Sequence, residues 1–145
     1  MDVTKKEYSV MVKKASPNSR LAANCAKAFI TGGFICTFGQ ILYTIFMSWG
    51  ASRDMTGSLV AITLIFTAVL FTGFGKYDDI VKFAGAGASV PITGFANAVA
   101  APAIEFKKEG YVMGVGAKMF IIAGPVIVYG TLASMAVGLI YYFVR

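Results

Sequence analysis

Histidine is absent from this chain of 145 residues. Its absence removes both the commonest metal ligand and the commonest general base. Only two cysteines occur, Cys25 and Cys36. On one predicted helix they stand roughly 16 Å apart, too far for a disulfide between them. Charge is scarce: Asp, Glu, Lys and Arg make up 14% of the residues, against about 25% in a soluble domain. No paired metal-ligand motif is present, and no Ser or Cys stands beside a credible base. The carboxylates Asp78, Asp79, Glu105 and Glu109 are the remaining candidates for acid–base work, and they sit in charged turns. An enzyme is therefore not expected, and no cofactor or metal is implied.

What the chain has is apolar length. Hydrophobic residues make up 57% of it, and the mean hydropathy is +0.72. This composition is that of an all-α integral membrane protein with one membrane domain and no sizeable soluble one. The net charge of +6 is not a nucleic-acid footprint, because the basic residues flank hydrophobic runs. There they set topology and contact lipid headgroups, so membrane lipid is the expected partner.

Residues 1–21 form a basic segment with Lys5, Lys6, Lys13, Lys14 and Arg20. A weak apolar pattern through Tyr8, Met11 and Val12 fits a helix on the membrane surface, and a solvated cytosolic-type tail fits equally well. Ser16-Pro17-Asn18-Ser19 reads as a break followed by a helix start, with Asn18 or Ser19 as cap. The membrane domain is then 22–145. Its first span covers about 22–49, with Gly32, Cys36 and Gln40 recurring every four residues as a narrow small and polar stripe. Gln40 falls near the bilayer midplane, where a lone amide is expensive, so the stripe faces protein or water. Helix packing is favoured over pore lining. Arg53-Asp54 reads as a tight loop, followed by a second span at about 55–75. Lys76, Tyr77, Asp78, Asp79 and Lys82 make a charged turn.

The segment 83–104 organises the rest. It holds 22 uncharged residues, of which eight are Ala, three Gly and two Pro. Such a composition suits a broken, inward-facing element better than a lipid-facing helix. Gly85 and Gly87 permit tight backbone, and Pro91 suits the first turn of a half-helix whose N-terminus could receive an anion. A tightly packed small-residue helix is the competing reading. Beyond the turn at Glu105, Lys107, Lys108 and Glu109, a short piece at 110–123 and a last span at 126–144 are expected, divided by Gly124-Pro125. Gly130, Ser134 and Gly138 repeat at the four-residue spacing of close helix contact.

Positive charges decide between two topologies. If 83–104 crosses, the amino-terminal side holds nine and the opposite side four; if it re-enters, the division is 11 against 2. The positive-inside rule prefers three full spans plus a re-entrant hairpin over four spans.

Several stretches carry a family resemblance: AFITGGFICTFGQ at 28–40, TGFGKYD at 72–78, FAGAGASVPITGFAN at 83–97, and Glu109-Gly110 with Gly114 and Lys118. They are similar to the stage V sporulation protein AC/AEb family of spore-forming Firmicutes, over nearly the whole chain. The resemblance implies a membrane subunit that moves dipicolinic acid, with calcium, across the spore (forespore) inner membrane during sporulation and germination. It also implies mechanosensitive channel behaviour and assembly with other stage V sporulation A-operon proteins, AD and AEb. In that scheme Gly85, Gly87, Ser89, Pro91, Thr93 and Asn97 line the path or filter, and Lys82, Lys118 and Asp78 stand at a charged mouth. Gly32, Cys36, Gln40, Gly130, Ser134 and Gly138 are helix-packing positions for a homo- or hetero-oligomer. A non-conducting anchor or assembly subunit of the same complex is the alternative.

Overall fold

A computed structural model describes residues 4–15 and 19–144, the side chains of Lys6, Lys13 and Lys14 excepted. The expected break at Ser16-Pro17-Asn18 and the terminal Arg145 lie outside the described residues. Nearly everything described is helical, and no strand occurs among the described residues. The helices are α1 (Lys5–Ala15), α2 (Leu21–Ser48), α3 (Arg53–Gly73), α4 (Tyr77–Ala84), α5 (Ala86–Ser89), α6 (Ile92–Glu105) and α7 (Ala117–Val144). A 3-10 turn, Phe106–Glu109, and a π-helical turn, Tyr111–Gly116, join α6 to α7.

Three elements are long and apolar enough to cross a membrane: Leu21–Ser48, Arg53–Gly73 and the 34-residue run Tyr111–Val144. Large hydrophobic side chains project outward from all three, Phe29, Phe66 and Val137 among them. In water that exposure would be ruinous; against lipid it is the normal surface of a spanning helix.

The ends of these helices follow from local chemistry. The α2 and α3 C-termini each close with a paired cap. Gly50 donates to Met47 and Ala51 to Phe46; Gly75 donates to Thr72 and Lys76 to Phe71. Gly50 and Gly75 take φ of 85° and 67°, where a side chain would be strained. At the α3 N-terminus the Ser52 hydroxyl accepts from the Met55 amide. This cap draws Arg53 and Asp54 into the helix, where a loop was expected. The α2 N-cap is Arg20, without a side-chain hydrogen bond, and not Ser19.

The expected break at Gly124-Pro125 does not exist: α7 runs through Pro125 without interruption, as α6 does through Pro102. The separate piece at 110–123 accordingly merges into the last membrane-length run. One proline removes one backbone donor and costs about 3 kcal/mol in a helix. A full break would free several backbone groups in hydrocarbon, each at several kcal/mol, so continuing the helix through the proline is the lesser penalty.

The central segment is broken, as its composition suggests. Gly85 turns the chain between α4 and α5 with φ 56° and ψ −127°. Val90 and Pro91 separate α5 from α6, and Pro91 takes the extended N-cap conformation of α6. With 14 residues, α6 measures roughly 21 Å, short of the roughly 30 Å hydrocarbon core. It packs against α3 and α7, while α4 and α5 pack against α2. The small core sits where these meet: Ala68 of α3, Tyr77 of α4 and Ala96 of α6, with Val81 against them.

Candidate functional site

The α2–α4–α5–α6 junction gathers most of the residues of interest, beginning with a backbone contact. Gly87 on α5 is buried against Ala28 on α2. A Cβ built there would stand 2.8 Å from both the Cα and the carbonyl carbon of Ala28, and nearer still to its oxygen. Gly32, one turn further along α2, faces the same glycine with more room: a Cβ built there would stand at ordinary contact distance, 3.5 Å from the Gly87 carbonyl oxygen. The two helices therefore meet through main chain, a contact that small residues alone permit.

Gly94 plays a comparable part inside the broken element. The carbonyls of Ala88 and Ser89 crowd its Cα so closely that no side chain fits. Acceptor oxygens thus lie against the first turn of α6, where open amides would best receive an anion. The Ser89 hydroxyl donates back to Gly85 at 3.1 Å.

Two hydrogen bonds tie the element down. Tyr77, nearly fully buried, donates its hydroxyl to the Ala88 carbonyl at 3.0 Å. Thr72 of α3 donates to the Asn97 side-chain oxygen at 2.8 Å, while lying 2.7 Å from the Ala68 carbonyl. Tyr77 and Thr72 both lie in the TGFGKYD stretch, yet nothing local gives either a role, since one belongs to a charged turn and the other to a spanning run. Their roles depend on partners 11 and 25 residues away.

Two cavities lie along α2, one beside its contact with α5 and one between α2, α3, α4 and α6. One, of about 380 Å³, is lined by Asn24, Cys25, Ala28, Lys82, Phe83 and Gly85 among others. Lys82 forms an exposed 3.8 Å pair with Asp79, and Lys27 stands 4.9 Å from the centre of the Phe83 ring. The other, of about 460 Å³, has a lining that includes Phe34, Phe38, Phe71, Thr67, Tyr77 and Thr93. Thr93 is buried there.

The sequence-derived residues divide accordingly. Gly85 and Lys82 share the smaller cavity, and Thr93 lines the larger. Gly87 is a packing residue in this conformation, Asn97 binds α3, and Pro91 caps α6. Asp78 is exposed on α4. Lys118 lies 4.5 Å from the Phe106 ring centre, in a different cluster from Lys82. Of the two packing stripes, only Gly32 is engaged by this chain. Cys36, Gln40, Gly130, Ser134 and Gly138 are exposed.

These features define a class: an all-α integral membrane protein with three bilayer-length helices and a broken helix seated among them. The comparisons with known proteins make it more particular. The chain belongs to the SpoVAC/SpoVAEB sporulation membrane protein family, whose model matches residues 24–140. It is also 46% identical over 139 residues to stage V sporulation protein AC of Bacillus subtilis (strain 168), covering 95% of this chain and 93% of that protein. No solved structure matches it.

Proposed function

We propose that this sporulation membrane protein is a subunit of a tension-gated path for dipicolinate, with calcium, across the spore inner membrane. The observation that carries the reading is the α4–α5–α6 element. A continuous helix would satisfy its own backbone, whereas this one is interrupted at Gly85 and again at Val90–Pro91 amid membrane-length helices. Interrupted helices at membrane depth accompany ion and solute sites, because freed backbone groups are tolerable only beside protein or a wet cavity. In this reading α4–α6 re-enters and returns to the same face, and Lys82 beside the smaller cavity attracts the planar dianion. The exposed stripes on α2 and α7 serve assembly, as a homo-oligomer or with the AD and AEb proteins, since three spans alone cannot enclose a wide pore.

The test is single-channel recording on the purified protein in liposomes while membrane tension is stepped upward. Tension-activated dipicolinate currents are expected. Lys82→Ala is expected to reduce them by about twofold or more at low ionic strength, with the tension threshold unchanged. Silent patches with verified insertion would reject a self-sufficient channel in favour of a non-conducting anchor or assembly subunit, and recordings with the partner proteins would follow.

A further inference from the structure

The first helix, α1, shares no extensive packing with the membrane domain among the described residues, yet it is built with care. Thr4 and Glu7 form a reciprocal cap: the Thr4 amide and hydroxyl donate to the Glu7 carboxylate at 3.0 and 2.8 Å, and the Glu7 amide returns a bond to the Thr4 oxygen at 3.4 Å. This is the capping box that fixes a helix start. Tyr8, Met11, Val12 and Ala15 follow at the spacing of one helical face, and all four are exposed. No other helix packs extensively against them among the described residues. An 11-residue helix is marginal in water by itself, so this face calls for a covering surface.

Two further facts select that surface. In sequence, α1 carries four lysines against one glutamate. Five residues separate Ala15 from the start of α2 at Leu21, a reach of roughly 20 Å even when fully extended. The helix is therefore tethered beside the leaflet that α2 enters, on the side that collects positive charge. We infer that α1 is an interfacial helix, its Tyr8–Met11–Val12–Ala15 face sunk into the headgroup boundary of an anionic leaflet. Apolar burial and attraction to anionic lipid then act together, and the second is lost when salt screens it.

The experiment places a single tryptophan in the full chain, in a Trp49→Phe background, at Met11 or at Val10 on the opposite side of α1. Each variant is reconstituted into vesicles of phosphatidylglycerol with phosphatidylethanolamine, and into vesicles of phosphatidylcholine. The Met11→Trp probe is expected to be quenched by brominated lipid, and to show about twofold or greater protection from acrylamide in the anionic vesicles. Molar salt should sharply reduce that protection, because it shortens the screening length to about 3 Å and leaves apolar burial alone. The Val10→Trp probe should stay open to acrylamide throughout. Equal acrylamide access at both positions would overturn the inference and leave α1 a solvated tail. Protection of Met11→Trp in both lipids and at high salt, without quenching by brominated lipid, would overturn it too, since protein would then cover the face.

Discussion

The contact between Gly87 and Ala28 gives a prediction with a magnitude. Gly87→Ala places a methyl group 2.8 Å from two backbone carbons of Ala28, and closer to a third backbone atom, the carbonyl oxygen. Ordinary contact begins near 3.4 Å, so the two carbons alone require α5 to move off α2 by roughly 0.6 Å and the oxygen requires more, and no side-chain rotamer can absorb the shift. Overpacking of this kind costs about 1–3 kcal/mol, a factor of roughly 5–150 in the population of the seated state. In a thermal melt of the detergent-solubilised protein this corresponds to a fall of roughly 3–10 °C. Gly32→Ala is the control: its Cβ would lie 3.5 and 3.6 Å from the Gly87 oxygen and Cα, so it should change stability by less than about 0.5 kcal/mol. Ala28→Gly should not rescue Gly87→Ala, because the obstructing atoms are main chain. A Gly87→Ala protein that melts with the parent, or one restored by Ala28→Gly, would refute the reasoning. Loss of transport in a Gly87 variant would accordingly report the seating of α5 and not a filter.

Two further predictions concern single hydrogen-bonding groups. Tyr77→Phe keeps the ring in the Ala68–Tyr77–Ala96 cluster but strips the Ala88 carbonyl of its donor; a loss of about 1–2 kcal/mol is expected in the same melt. The Thr4 amide holds the Glu7 carboxyl below its ordinary value, aided by the Thr4 hydroxyl. The carboxylate is thus favoured in the folded helix, so its contribution is complete above the unfolded pKa and disappears as pH falls through the lower folded one. Hydrogen exchange at the Thr4 and Glu7 amides should therefore accelerate in acid, beyond its intrinsic pH dependence, and Glu7→Gln should abolish that extra acceleration.

The membrane-length runs and the broken central segment were legible in the sequence because they depend on local composition. A 22-residue stretch with eight alanines, three glycines and two prolines cannot behave as one plain helix, and it does not. Pro125 misleads for a physical reason: the penalty known from water understates how strongly hydrocarbon enforces helical continuity. Local pattern is silent, too, on which glycines touch backbone. Gly85 and Gly87 look alike in the sequence, yet one is a hinge facing a cavity and the other is pressed against Ala28. Tyr77 among charged neighbours looks like a surface residue, and only the fold brings it beneath Ala88. Gln40 and the Gly130–Ser134–Gly138 stripe remain exposed in the single chain; an amide near the bilayer midplane is poorly matched to lipid.

The main-chain contact also has a mechanical meaning. Most helices touch through layers of side chains, whose rotamers yield and so soften any push passed between them. Between α2 and α5 that compliant layer is missing at Gly87, and α5 is a four-residue strut with a joint at each end, Gly85 and Val90–Pro91. A sideways shift of α2 at Ala28 has no slack to take up before it reaches the strut. The strut can answer only by pivoting, and through the second joint the push arrives at α6. A long rod whose flanks bear on lipid thus meets the broken element through main chain, one joint away from α6, a helix of 14 residues and too short to cross the bilayer.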